Sequence, residues 1–403
     1  MADFELLEGV RAVPPDEWNA LVGEDSPFLE WEWLASLEES GAASEETGWA
    51  PRPLVAREGG RLVAACPLYV KSHSEGEFVF DFGWADAAQR AGLAYYPKLL
   101  VGVPFTPVGG ARLLTAPGVA RETWLPRLAE ALRELCVSNG LSGVHVNFCR
   151  DDERAALEAA GFLPRLGFQY HWSNGGFESF EGYLDSLRSK RRNQVRRERR
   201  ELLAQGLRIE ALAGDAIPDA LFAPMFRIYL STIQGNPWGR QYLNARFFEL
   251  LRERFRRRLC FLLARRGDAL VAGTLNVEKG DALYGRYWGS FEPLRHLHFN
   301  VCYYAGIERC IERGLARFEP GAGGDYKQLR GFDATPTWSC HFLADPRLRD
   351  AVSRFLARER AEAGRTLEWL TEHSALRRDD PARLPALRLR LNPPRGARPG
   401  ARS

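Results

Sequence analysis

The segment LVAREGGRLVAACPLYV at residues 54–70 recurs without gaps as LLARRGDALVAGTLNVE at residues 262–278. Identities fall at Leu54/Leu262, Ala56/Ala264, Arg57/Arg265, Gly59/Gly267, Leu62/Leu270, Val63/Val271 and Ala64/Ala272. Each copy reads as strand, tight turn, strand, because a glycine-containing pair separates two runs rich in Val, Leu and Ala. The repeat extends beyond the hairpins. The first copy leads into expected strands at EFVFDFGW and YPKLLVGVPF, a helix over RETWLPRLAEALRELCVSNG and a strand at GVHVNFC. The second leads into a strand at ALYGRYWGS, a helix over LHFNVCYYAGIERCIERG and a strand at ARFEPG. That order predicts two α/β (α+β) units, each a twisted sheet covered by helices.

A chain of 403 residues exceeds one typical core and suits two domains. The Ser/Asn/Gly cluster in HWSNGGFESFEGY sets the expected boundary. It gives an N-terminal domain over 1–175, a C-terminal domain over 176–385 and a loose Pro/Gly/Arg tail over 386–403. Seven scattered cysteines, with no CxxC pair, support neither a zinc ribbon nor a disulfide scaffold and read as reduced core residues. The N-terminus is acidic and lacks an apolar signal region, and no run approaches the roughly 18 apolar residues of a spanning segment. The expectation is a cytoplasmic protein without membrane insertion.

The densest charge lies in YLDSLRSKRRNQVRRERRELLAQGLRIE, where eight cations meet one acid between residues 188 and 200. Leu184, Leu187, Val195 and Leu202 fall near one helical stripe, and Arg188, Arg192, Arg196 and Arg199 near another. Two readings stand: a solvated face partly paired with Glu198 and Glu201, or an anion site in which Lys190, Arg191, Arg192 and Arg196 hold phosphates. Only five of the 55 basic residues are lysine, so arginine clusters are less informative here than in an average chain.

That basic segment, with YGRYWGS, LHFNVCYYAGIERCIERGLARFEPGAGGDYKQLRGF, SPFLEWEWLASLEESG and YYPKLLVGVPFTPVGGARLL, resembles the FemAB-like family of N-acyltransferases over about residues 4–375. Those proteins are related to the Fem peptidyltransferases that add amino acids to peptidoglycan precursors. The resemblance implies a duplicated GNAT-type acyl-CoA N-acyltransferase fold, two mixed twisted sheets flanked by helices. It implies transfer from an activated donor, acyl-CoA or aminoacyl-tRNA, to a small-molecule or peptide amine; no metal is expected, because no third ligand accompanies His296 and His298 at a supporting spacing. A binding module that keeps the fold without chemistry is the third class. The stretch GSFEPLRHLHFN lacks the R/Q-x-x-G-x-G/A turn on which acyl-CoA enzymes of this type seat pyrophosphate, so the donor stays open.

Acyl transfer to an amine needs a proton acceptor, a stabilised oxyanion and a protonated leaving group. The loop EPGAGGDYKQLRGF at 319–332 supplies each type: Glu319 or Asp325 as base, glycine N–H groups for an oxyanion, Lys327 or Arg330 for a substrate phosphate or carboxylate. A structural turn with surface salt bridges is the alternative. Tyr287 is the candidate proton donor, on the opposite strand face from Trp288. His298 is expected to line the cleft and His296 to be exposed. The cleft between the two units, bordered by this loop and the strand at 282–289, is expected to be the main pocket.

Overall fold

The structure is a computed structural model and describes residues 3–234 and 239–377. The expected tail at 386–403, and residues 378–385 before it, lie outside the described residues. The strands among the described residues are β1 (Asp3–Leu6), β2 (Trp49–Pro51), β3 (Leu54–Glu58), β4 (Arg61–Cys66), β5 (Leu68–Lys71), β6 (Lys98–Val101), β7 (Leu114–Thr115), β8 (Gly143–Cys149), β9 (Leu163–Ser173), β10 (Arg208–Ala213), β11 (Leu259–Arg266), β12 (Ala269–Lys279), β13 (Ala282–Ser290), β14 (Arg317–Glu319) and β15 (Asp333–Leu343). One sheet has the order β1-β3-β4-β7 and the other β10-β11-β12-β13-β14-β9-β15-β8-β6-β5-β2.

The repeat seen in the sequence is a repeat of register. In β3–β4, Leu54 faces Cys66 and the ladder slips between Ala56 and Arg57. In β11–β12, Leu262 faces Thr274 and the slip falls between Ala264 and Arg265, the matching positions. The repeated arginine does the same work twice: Arg57 Nη1 donates to Gly60 O at 2.9 Å, and Arg265 Nη1 to Asp268 O at 3.1 Å. Gly59 and Gly267, which open the two turns, share a φ of 57°, a left-handed value that glycine adopts without strain.

The likeness continues beyond the hairpins. β6 pairs with β8 in parallel, and β13 with β14 in parallel. Parallel neighbours need a crossover, and a helix supplies each one. Arg121–Ser138 joins the first pair, and a helical run from Leu297 to Arg313, with a π-helical middle at Asn300–Tyr304, joins the second. β15 inserts between β8 and β9, antiparallel to both, while β9 pairs with β14. One mixed sheet therefore runs through both halves; the four-stranded sheet is antiparallel throughout. Apolar packing also crosses between halves, with Phe28 edge-on to Tyr284 and Trp33 edge-on to Phe247.

The strand expected over EFVFDFGW does not form. Glu77 and Asp81 turn inward onto Lys98, at 3.0 and 2.5 Å, and the chain then enters the helix Phe82–Arg90. No helix among the described residues is long and apolar enough to cross a membrane.

β13 runs hard against the helix Phe222–Gln234: a Cβ added to Gly289 would lie 1.8 Å from the Ile228 carbonyl oxygen. Gly289→Ala is therefore expected to destabilise the protein by about 1–3 kcal/mol through overpacking. A urea unfolding curve indistinguishable from wild type would refute that close approach.

Candidate active site

β13 and β14 pair only over Ala282–Tyr284 and Arg317–Glu319. Pro320 comes next, and without an N–H it cannot extend the ladder. The partner residue past the last pair is Gly285, whose added Cβ would come within 3.2 Å of Pro320 Cα. One step further β13 bulges: Asn276 faces Gly285 but Leu275 faces Tyr287, leaving Arg286 as the extra residue. The two strands diverge at this point and enclose a cavity of about 330 Å³, lined in part by Tyr287, Trp288, His298, Tyr303, Tyr326 and Lys327. The first half closes it with Phe78 and Phe105.

Three of the expected site residues meet here. The Tyr287 hydroxyl is buried without a hydrogen-bond partner among the described residues. Burial raises its pKa, against the pull of Arg286, which is held by Phe105 O at 2.5 Å. Lys327 is 2% exposed, and its ammonium donates to Gly321 O at 2.6 Å and Ala322 O at 3.2 Å. Burial lowers its pKa to about 8. His298 stands among the rings of Trp288 and Tyr303, with centroids 4.7 and 5.2 Å away. Burial first, then the charges of Lys327 and Arg330, lower its pKa to about 4, so it is neutral at pH 7.

Glu319 points elsewhere. Successive side chains of β14 alternate faces. Phe318 sits under Gly306 of the crossover helix, so Glu319 and Arg317 turn to the far face. There the carboxylate meets Arg317 Nε at 2.9 Å and His171 Nε2 at 3.7 Å. It lines a second cavity, about 850 Å³, with Asp25, Arg150, His171, Lys279 and Arg317. The expectation that the glycine-loop cleft is the main pocket is thus corrected: the cleft exists, but the larger hollow is this charged one, whose rim carries the ion pairs Arg150–Asp25 and Arg317–Glu319.

The remaining candidates are outside both cavities among the described residues. Asp325 accepts from the Tyr170 hydroxyl at 3.3 Å. Arg330, 2% exposed, donates to Tyr304 Oη at 2.8 Å, Tyr326 O at 2.9 Å and Glu198 Oε1 at 2.8 Å, and lies 3.5 Å over the Phe299 ring. It braces the loop that carries Lys327. Burial opposes ionisation of Glu198, but hydrogen bonds from Tyr304 and Gln194 and the Arg330 charge hold its pKa below the usual range. On the basic helix Ser189–Leu203, Arg192 meets Asp185 at 3.4 Å, Arg196 meets Glu181 at 2.6 Å and Arg191 donates to Gln194 at 3.1 Å, while Lys190 is exposed. His296, expected to be exposed, is largely covered and meets Glu201 at 3.0 Å. Sequence reasoning missed Arg286 and the first-half residues Phe78 and Phe105, because neither a bulge nor a contact across the chain leaves a local signal.

A diphosphate would be seated at the turn between β13 and the next helix, and the fit there is poor. The N–H groups of Ser290, Phe291, Glu292, Leu294 and Leu297 already donate to Ser231 Oγ, Val271 O, Ser290 Oγ, Glu292 O and Leu294 O.

Duplicated crossovers and a splayed parallel pair define an architecture of two related mixed α/β halves joined through one sheet. The chain belongs to the FemAB-like family, described as peptidoglycan biosynthesis/recognition, whose family model matches residues 9–378. Its fold is similar to that of FemX, at 12% identity and a TM-score of 0.52 over 85% of this chain and 98% of that one. It is similar to L-PGS from Bacillus licheniformis, at 10% identity and a TM-score of 0.50 over 83% and 98%. A third likeness is to the C-terminal domain of a putative lysylphosphatidylglycerol synthetase from Agrobacterium fabrum, at 10% identity and a TM-score of 0.52 over 84% and 93%. Among curated proteins none matches.

Proposed function

We propose that the chain is an enzyme that transfers an acyl or aminoacyl group from an activated donor to an amine, with the reacting carbonyl in the cleft between β13 and β14. The observation that carries this is the juxtaposition, in one cavity beside the bulge at Arg286, of the Lys327 ammonium and the unpartnered Tyr287 hydroxyl. As the amine nitrogen bonds to the carbonyl carbon, negative charge grows on the carbonyl oxygen. Lys327, with two of its three N–H groups engaged by loop carbonyls, has one left for that oxygen. Tyr287 supplies the proton to the departing oxygen or sulfur, and neutral His298 takes the proton from the amine. Glu319, with His171, serves as base for an amine that approaches from the far face. The larger cavity carries carboxylates (Asp25, Glu319) and cations (Arg150, Arg317), which suits a peptide or other acceptor bearing both charges, such as a peptidoglycan precursor.

The fold supports an acyl-CoA donor, whereas the engaged N–H groups at the 290–297 turn favour a donor that does not depend on that turn, such as an aminoacyl-tRNA. A filter-binding titration with tRNA at several salt concentrations, run beside a thermal-shift titration with acyl-CoA, separates them. For the tRNA donor, binding weakens steeply with salt, and replacing Lys190, Arg191, Arg192 and Arg196 by Gln flattens that dependence. A clear acyl-CoA shift without tRNA binding at low salt assigns the donor to acyl-CoA. Neither response, together with no transfer, would leave a binding module and defeat the enzymatic reading.

A further inference from the structure

We propose that Ser339 is a second nucleophile, served by His341 as its base and by His145 as the positioning residue, that accepts the acyl group of an ester or thioester bound in a cavity beside β15 with one aromatic wall. The proposal does not rest on the transfer cleft, with which its cavity shares the Phe78 and Ala322 walls but none of the reacting groups.

Ser339 and His341 are two residues apart on β15 and so share a face. Ser339 Oγ lies 2.9 Å from His341 Nε2. His341 stands directly opposite His145 of β8, with the two Nδ1 atoms 2.7 Å apart. His145 Nδ1 in turn lies 3.9 Å from Asp81 Oδ2, which accepts hydrogen bonds from Lys98 and Tyr95 at 2.5 and 2.7 Å. One hydrogen bridges the two Nδ1 atoms. When it sits on His341, His341 Nε2 is an open acceptor for the Ser339 hydroxyl, the arrangement that activates a serine. Burial keeps both imidazoles neutral, that of His145 with its pKa lowered to about 3 and that of His341 lower than its ordinary value by a wide margin.

Three independent features mark the place. The β15–β8 ladder slips between Trp338 and Ser339, and the residue left over on β8, Phe148, has a φ of 58°. A bulky side chain in the left-handed region is strained, and bulges and strain of this kind gather at functional sites. Secondly, His145 Nε2, Asp81 Oδ1 and Glu77 Oε1 are buried without hydrogen-bond partners among the described residues, unlike a network built only for stability. Thirdly, Ser339 lines a cavity of about 430 Å³ with one wall of Phe78, Phe80, Phe148, Leu166 and Phe168, which suits an acyl chain, and another, charged wall carrying Arg165 and Glu359.

In the reaction, Ser339 Oγ bonds to the carbonyl carbon while its proton passes to His341 Nε2. The tetrahedral adduct collapses, the C–O or C–S bond breaks, and the same proton leaves with the alcohol or thiol. An acyl-serine remains, released by water.

The full chain is incubated with an alkyl fluorophosphonate and analysed by intact mass and peptide mapping. The expected result is one adduct, on the peptide containing Ser339, absent from Ser339→Ala and formed about 100-fold more slowly in His341→Gln. His145→Asn, which keeps a hydrogen-bonding group toward His341 Nδ1, retains labelling that His145→Phe loses at an equal melting temperature. Absence of an adduct, an adduct on another serine, or wild-type labelling of His341→Gln would overturn the proposal. Should a histidine variant fail to fold, mapping of the wild-type adduct and its loss in Ser339→Ala still decide it.

Discussion

Lys327→Met is expected to lower the transfer rate by about 10²–10³-fold, the usual consequence of removing one donor from a developing oxyanion in a water-poor site. The side chains are of similar length, and Met leaves Gly321 O and Ala322 O to loop rearrangement or water, so the larger effect falls on rate. The pH dependence gives the sign. Lys327 is charged below its pKa of about 8 and neutral above it, so the wild-type rate falls as pH rises through about 8. Stability moves the other way. A lysine whose folded pKa is depressed costs most while it is charged, and that cost fades between about pH 8 and the ordinary lysine range, where the unfolded chain binds more protons. Wild type should therefore gain stability relative to the Met variant over that window. A Met variant that turns over at the wild-type rate, with its alkaline limb intact, would remove Lys327 from the chemistry.

Arg330→Met should cost about 3–5 kcal/mol, because it leaves the buried Glu198 carboxylate without its cation. The pair is closed by Tyr304, whose hydroxyl donates to Glu198 and accepts from Arg330 Nε. Adding Glu198→Met should recover most of the loss, since two apolar groups of matching volume leave no stranded charge. Urea unfolding of the two single variants and the double variant checks this. Equal costs that simply add would mean that the residues do not act as a pair. Because Glu198 has a lowered pKa, the pair's contribution is present above the ordinary glutamate range and is lost as pH falls through that lowered value.

The parts of this molecule that can be read from sequence are those whose causes are local. The duplicated hairpin is legible because its apolar alternation and its glycine-containing turn act within a few residues, whereas the register slip after Ala56 and Ala264 shows only in the pairing. Tyr287, His298 and Lys327 are legible as a group because they sit in contiguous motifs around one crossover. Glu319 is not placed by its motif: a three-residue strand gives too little alternation to tell which face it presents, and the answer depends on Phe318 seating against Gly306. Arg330 reads as a free cation only while its partner, 132 residues away, is unseen. The inward turn at Glu77 and Asp81 likewise depends on Lys98, and the insertion of β15 between β8 and β9 on pairings about 160 to 200 residues apart.

The central claim is the location of the reacting carbonyl, and photocrosslinking tests it most directly. Donors of both classes, an acyl-CoA and an aminoacyl-tRNA, are prepared with a diazirine beside the carbonyl, irradiated on the full chain, and the adducts mapped by mass spectrometry. Adducts from the donor that transfers should fall on Gly285–Trp288, on 320–327, or on both. Adducts from that donor confined to the cavity of Glu319 and Arg150, with none on β13 or the glycine loop, would contradict the account.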